Sequence, residues 1–312
     1  MGPIAAIVGP TGSGKTELAL ALAARFPVEI LIADSRQVFR GMDIGTAKPD
    51  ARARAAVPHH LIDLVAPDQP FSVAAWAGEA RRLIPEVSAR GRLPLVVGGS
   101  GLYLAALLDG YAFGPAPHPE DRARLNEELA TAGIAVLADR LRAVDPANAA
   151  RVDLRNPRRV ARALERSVAA DRRDPPPPAA KPWSGPVLVI GISRSTEVLN
   201  RRIDQRAHWL FANGLVEEVR DLLAAGHDPR HPPLTGHGYG EAARYLLGEW
   251  SLEEAVVVTA RRTRQYAKRQ RTWFRRDPRI AWLEAGDAPG DDPALVDKVG
   301  RLLEELRPTP AS

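Results

Sequence analysis

The 312-residue chain contains no cysteine, which excludes disulfides, thiolate zinc sites and a cysteine nucleophile. It has no apolar run near the about 20 residues that span a bilayer. Met1-Gly2-Pro3 leads directly into a strand-like run, leaving no room for a signal peptide. No internal repeat is visible. A cytoplasmic, monomeric protein without membrane attachment is therefore expected, long enough to bury a large core in one or two domains. The net charge is only +5, an excess whose position matters more than its size.

Among what is present, Gly9-Pro10-Thr11-Gly12-Ser13-Gly14-Lys15-Thr16 fits G-x-x-x-x-G-K-[ST], the phosphate-cradling P-loop. Its context agrees. The apolar run 4–8 suits a buried strand, and Leu18, Leu20, Ala21, Leu22 and Ala24 mark the packed side of a following helix. Backbone N–H groups of the turn and the helix start converge on one spot and favour an anion there. Lys15 adds a positive charge, and the Thr16 hydroxyl is the expected ligand for Mg²⁺. A di- or triphosphate is the predicted ligand.

Further runs at 29–33, 93–97 and 187–192 read as buried strands, and Pro58–Asp63 as a short one. The fold class is thus α/β: a P-loop NTPase-like parallel sheet with helices on both faces. Asp34, at the end of the second strand, is directed to the crevice outside the strand ends, where the P-loop also sits; its alternative role is to cap a helix. The stretch 38–49 is more elaborate than a plain connection requires. His59 and His60 are adjacent on a strand and point to opposite faces, which disfavours joint metal ligation. After the strand at 93–97 comes Gly98-Gly99-Ser100-Gly101, a second glycine-rich turn, read equally as a tight turn or a ligand contact. No acid stands there, which weakens a motor or switch-type ATPase reading.

Between about 115 and 186 no strand is evident. Residues 119–143 and 155–170 read as amphipathic helices, and a polyproline spacer stands at 175–178. This is a helical insertion domain (115–186) in an α/β core (1–114 and 187–312). Arg155, Arg158, Arg159, Arg162 and Arg166 share a helical face on which Glu165 is the single acid. A long helix is expected from 194 to about 225, then a loop over 226–240 and another helix over 251–276. Eight of the sixteen residues from Arg261 to Arg276 are basic and none is acidic. At helical spacing, 261, 264, 268, 271 and 275 form one stripe and 262, 269 and 276 a second. Such a face is costly in self-repulsion unless a polyanion meets it, and nucleic acid is the favoured partner.

These stretches together resemble the bacterial tRNA dimethylallyltransferases (isopentenyltransferases). The matching segments are GPTGSGKT (9–16), ADSRQVFRGMDIGTAKP (33–49), VPHHLID (57–63), VVGGSGLYL (96–104), VDP (144–146), RRVARALE (158–165) and TRQYAKRQRTWFR (263–275). Ser100, Phe39, Arg158 and HGYGE (237–241) depart from the usual family pattern. The resemblance implies transfer of a dimethylallyl group from dimethylallyl diphosphate to N6 of the adenine at tRNA position 37, with the P-loop residues 9–16 holding the leaving diphosphate. It implies Lys15, Thr16, Asp34 and Arg202 as the catalytic set, with Mg²⁺ on Thr16. Asp34, Ser35, Arg36, Gln37, Ser100, Arg122, Arg158, Arg159, Arg162, Arg264, Lys268 and Arg269 are the implied tRNA contacts. The rival readings are a small-molecule P-loop kinase, an adenylate isopentenyltransferase and a non-catalytic RNA-binding module. The first two leave the basic helix without a partner, and the third leaves Lys15, Thr16 and Asp34 unexplained.

Overall fold

The computed structural model describes residues 1–111, 113, 118–171 and 179–306; the polyproline segment 175–178 lies outside them. In chain order the elements begin with β1 (Ile4–Val8), α1 (Lys15–Ala23), β2 (Val28–Ile32), α2 (Ala51–Ala56), β3 (His59–His60), α3 (Val73–Ala89), β4 (Leu93–Gly98) and α4 (Gly101–Asp109). Next come α5 (Pro119–Val144), α6 (Pro146–Ala149) and α7 (Pro157–Asp171). The chain continues with β5 (Val187–Ser193), α8 (Thr196–Ala212), α9 (Leu215–Ala224), α10 (Tyr239–Leu246), α11 (Leu252–Phe274), β6 (Ile280–Glu284) and α12 (Pro293–Leu306). They form two compact units, one of Met1–Gly110 with Pro182–Ser312 and one of Tyr111–Lys181. The division thus falls a few residues before both 115 and 186.

The first unit is a parallel six-stranded sheet in the order β3-β2-β4-β1-β5-β6. Its central strands are apolar throughout because both faces are covered, as parallel sheets require. Ala5, Ile7, Ile30, Leu95 and Ile190 pack with Leu18 and Leu22 of α1 and Leu295 and Val299 of α12. The alternate strand residues, including Ile4, Ala6, Leu31 and Val96, are buried from the opposite face. Trp76 of α3 lies there, fully buried, and its indole N–H donates to the Ile32 carbonyl. Glu29 also faces that side. It is 3% exposed and held by a two-pronged ion pair from Arg90 and by His60 Nε2 at 2.7 Å. His59 is occupied separately, through Nδ1 on the Val57 carbonyl.

The second unit packs Leu125, Leu137, Leu141, Val160 and Leu164 into a small core of its own. One expectation needs correction here. The 119–143 segment is interrupted at Gly133 (φ 80, ψ 173). The single acid expected on the arginine face is fully engaged. Glu165, 7% exposed, receives both Arg122 (3.0 Å) and Arg162 (2.8 Å). Burial alone would raise the Glu165 carboxyl, but the hydrogen bonds from those two arginines hold it below its usual range. Arg158 and Arg159 remain exposed, and Arg155 precedes the helix.

In the first unit the helix expected over 194–225 is two helices, because Gly214 adopts φ 98 between α8 and α9. The loop over 226–240 ends in α10, and β6 and α12 lie beyond the last predicted element. Among the described residues no helix is long and apolar enough to cross a membrane.

Candidate active site

The P-loop joins β1 to α1 at the carboxyl edge of the sheet. Its glycines are dictated by close approach. A side chain at Gly9 would meet the Ile192 carbonyl at 2.7 Å, and one at Gly14 would meet Gly290 at 2.9 Å, with both residues at positive φ. Two arginines take carbonyls of the loop: Arg194 Nε holds Ser13 O at 2.9 Å and Arg202 Nε holds Gly12 O at 3.0 Å. With these carbonyls bound on the outside, the N–H groups of Gly12, Gly14 and Lys15 have no backbone partner among the described residues. That is the arrangement an anion completes. Lys15 Nζ rests on the Pro10 carbonyl at 2.7 Å.

A cavity of about 800 Å³ opens on this loop. Thr11, Gly12, Gly14, Lys15 and Thr16 form one wall, and Asp34, Ser35, Arg36 and Gln37 another. Gly45–Ala47, Gly98 and Gly99 add backbone, α8 contributes Arg202, Arg206 and Trp209, and α11 contributes Thr259, Thr263, Tyr266 and Gln270. Pro10 and Ser13 belong to the loop but do not line the cavity, and Ser13 is fully buried.

Charge is concentrated at the junction of these walls. Burial lowers the Lys15 ammonium to about 8, Arg206 pushes the same way and Asp34 opposes. Burial lowers Arg206 too, with Asp34 and Glu17 opposing. The Tyr266 phenol is pushed up to about 12 by burial and by the Asp34 carboxylate. Burial, with Arg262, Arg36 and Arg269 around it, lowers His237 to about 4, so its ring is neutral. Lys15, Asp34, Arg206 and Tyr266 thus form one coupled group. Asp34 is no helix cap: its Oδ1 accepts the Arg36 N–H at 2.8 Å in a local turn.

The 38–49 stretch proves to be mainly scaffold. Lys48, 1% exposed, binds Asp43, Asp63 and the Phe39 carbonyl, and Arg54 completes the cluster on Asp63. Glu218 of α9 accepts from the N–H groups of Asp43 (2.9 Å), Ile44 (2.6 Å) and Gly45 (3.2 Å), and from the Tyr239 hydroxyl (2.5 Å). This fixes the following residues, Thr46 and Ala47, whose carbonyls hold the Gln37 amide at 3.1 and 3.3 Å. Gln37 Oε1 has no partner among the described residues. The second glycine turn serves packing as well as the cavity. A side chain at Gly98 would meet the Ala33 carbonyl at 2.0 Å, and one at Gly101 the Trp273 indole at 2.1 Å. Ser100 Oγ accepts the Ser35 N–H at 3.1 Å.

The basic helix is less bare than its sequence. Arg262 pairs with fully buried Glu241, Arg264 with Asp204, and Arg271 donates to the Thr196 hydroxyl. Arg261, Lys268, Arg269, Arg275 and Arg276 are exposed, with Arg269 over the Tyr266 ring at 5.7 Å. None of the eight cations lines the cavity. The side that does is the uncharged row Thr259, Thr263, Tyr266 and Gln270, spaced 4, 3 and 4 residues apart. That spacing was readable as a helical face, but the charge beside it drew attention away. Arg206 was missed in the same way, one turn beyond Arg202. Arg202 is the more engaged of the two, bound to Gly12 O and to Glu17 at 3.3 Å; Arg206 makes no hydrogen bond among the described residues.

The parallel sheet and the P-loop, with Asp34 and Glu17 lining an open cavity beside Lys15, define a P-loop α/β protein whose site suits a phosphate. The family model described as IPP transferase matches residues 37–277. The chain belongs to the IPP transferase family. It is 45% identical over 310 residues to a tRNA dimethylallyltransferase of Syntrophobacter fumaroxidans, covering 97% of this chain and 89% of that protein. It is 46% identical over 283 residues to one of Geobacter sulfurreducens, covering 89% and 90%. A full-length tRNA isopentenylpyrophosphate transferase of Bacillus halodurans superposes with TM-score 0.72 at 36% identity, over 98% of this chain and 97% of that one. The fold is shared by a eukaryotic dimethylallyltransferase acting on tRNA, at TM-score 0.79 and 24% identity.

Proposed function

We propose that this protein is a tRNA dimethylallyltransferase, moving a dimethylallyl group from dimethylallyl diphosphate to the exocyclic N6 of adenine 37, beside the anticodon. The observation that carries the reading is one cavity that Asp34 shares with the P-loop cation Lys15 and with Arg206 of α8. Adenine N6 is a poor nucleophile because its lone pair is delocalised into the ring. As the N6–carbon bond forms and the carbon–oxygen bond to diphosphate breaks, the Asp34 carboxylate accepts the N6 proton. Negative charge grows on the leaving diphosphate, and the P-loop amides, Lys15 and Arg206 stabilise it. Tyr266, kept protonated by its raised pKa, is a donor beside Asp34.

Thr16 is exposed and lines the cavity, and the described residues contain no cluster of three acidic, His or Cys side chains. That fits Mg²⁺ held by one hydroxyl, with diphosphate oxygens and water completing its shell. Bound there, the ion would neutralise the leaving group's charge.

The target base must leave its loop stack to enter the cavity, which costs less from a single-stranded loop than from a duplex. Exposed Lys268 and Arg269 on α11, and exposed Arg158 and Arg159 on α7, supply cations for tRNA phosphates. A kinase or a transferase acting on free adenylate leaves those cations idle. The test is incubation with labelled dimethylallyl diphosphate and unmodified tRNA, with AMP and ATP as competing acceptors. Label on the tRNA adenine supports the reading. Label on AMP alone, or transfer of the ATP γ-phosphate at an enzymatic rate, overturns it.

A further inference from the structure

Thr11 occupies the third position of the P-loop motif, and its N–H points at a side chain instead of an open cradle. The Gln270 carboxamide oxygen accepts that N–H at 2.9 Å, while the same carboxamide donates through Nε2 to the Gly99 carbonyl at 2.9 Å. Gln270 is 6% exposed and lies on the cavity wall. The fit leaves no slack, because a side chain at Gly99 would meet Gln270 Nε2 at 2.2 Å. A P-loop that holds a nucleoside triphosphate spends its backbone donors and its lysine on the chain out to the terminal phosphate. Here the donor at the Thr11 end is already taken, and the group that takes it presents the negative end of an amide dipole.

We infer that Gln270 is a specificity-determining residue that limits the phosphate cradle to two phosphoryl groups. Gly12, Gly14 and Lys15 remain to donate to a diphosphate, together with the Lys15 ammonium. A third phosphoryl group, laid toward Thr11, finds its amide occupied and meets the Gln270 carbonyl oxygen. It must displace that carboxamide, which leaves the buried Gly99 carbonyl without its donor as well. The inference rests on the diphosphate-holding role of the loop given above and adds the reason a triphosphate is refused.

The probes are inorganic diphosphate and inorganic triphosphate, titrated calorimetrically into the full-length protein, so that no prenyl group or tRNA is involved. Wild type binds diphosphate at least about tenfold more tightly, the scale of one hydrogen bond surrendered. In Gln270→Ala the Thr11 N–H is released and the preference falls to within about threefold. Gln270→Glu retains an acceptor for Thr11 and adds a charge, so it widens the preference while weakening both ligands. Equal affinities in wild type would overturn the inference, as would an unaltered ratio in Gln270→Ala. Should the alanine variant fail to fold, a ratio in Gln270→Glu no wider than in wild type overturns it. A protein that prefers diphosphate but transfers no prenyl group keeps this inference and loses the proposed function; equal binding with prenyl transfer intact does the reverse.

Discussion

Replacing Glu218 with alanine removes four acceptor contacts at once: the N–H groups of Asp43, Ile44 and Gly45, and the Tyr239 hydroxyl. A hydrogen bond to a charged acceptor contributes about 1.5–3 kcal/mol. Glu218 is half-buried and the Asp43 contact is exposed, so part of the set is replaced by water. The Tyr239 hydroxyl has less recourse, since Tyr239 is 2% exposed. Weighing these, Glu218→Ala costs about 3 kcal/mol, and Glu218→Gln, which keeps one acceptor oxygen, about half that. Urea unfolding followed by tryptophan fluorescence reads this cleanly, because all six tryptophans lie in the α/β unit. The same change loosens Gly45–Ala47 on the cavity wall, so the KM for substrate rises in step. An alanine variant within about 0.5 kcal/mol of wild type, the range of an inconsequential surface change, would show that the loop stands without its clamp. Equal losses for Ala and Gln would point to a packing role instead.

Four further expectations concern the site and the RNA faces. Burial lowers Lys15 to about 8, so the free protein loses this charge as pH rises through 8 while a bound diphosphate needs it. Diphosphate affinity therefore falls by up to about tenfold per pH unit above that point; Lys15→Met flattens the profile, and parallel profiles for the two proteins would refute the role. Asp34→Asn lowers kcat by about 10²–10⁴ with tRNA affinity little changed, and near-normal turnover would reduce Asp34 to a turn residue. Arg206→Ala costs about 10²–10³ in kcat, whereas Arg202→Ala acts mainly on donor binding through the slackened Gly12 carbonyl; single-turnover assays separate them, and the opposite order would restore Arg202 as the catalytic arginine. Arg159→Ala or Arg269→Ala makes the salt dependence of tRNA binding shallower by about 0.7–0.9 in logarithmic slope, while Arg162→Ala, already committed to Glu165, changes it less; identical slopes throughout would mark these arginines as solvated surface.

The sheet was readable because β1, β2, β4 and β5 are short apolar runs bounded by turn residues, the pattern a doubly covered parallel strand must have. β6 was not, since exposed Ala281 and Trp282 stand side by side between buried Ile280 and Leu283, breaking both a continuous apolar run and an alternation, and it sits at the sheet edge. The break at Gly214 was signalled by Asn213-Gly214, a helix-ending pair, but the apolar periodicity resumes so quickly that one long helix seemed sufficient. In the candidate site, the P-loop and Asp34 could be placed from local order alone. The counter-charges could not. Glu241 and Asp204 meet Arg262 and Arg264 across 21 and 60 residues of chain, and no spacing rule connects such pairs. For that reason the basic helix read as wholly unrelieved, and the uncharged row that faces the cavity passed unnoticed.

The strand order carries a consequence for how the protein is made. β1 is flanked by β4 on one side and β5 on the other, and the whole Tyr111–Lys181 unit is translated between those two neighbours. A nascent chain emerging from the ribosome can assemble β3-β2-β4-β1, but the outer edge of β1 stays unpaired while that unit is synthesised, several seconds at about 5–20 residues per second. An open, fully apolar edge is a template for pairing with another chain. The phosphate loop waits as well, because Gly9 closes against the carbonyl of Ile192 in β5. Synthesis of the insert thus separates a half-sheet with an open edge from its completion, an interval in which chaperone capture or aggregation competes with folding.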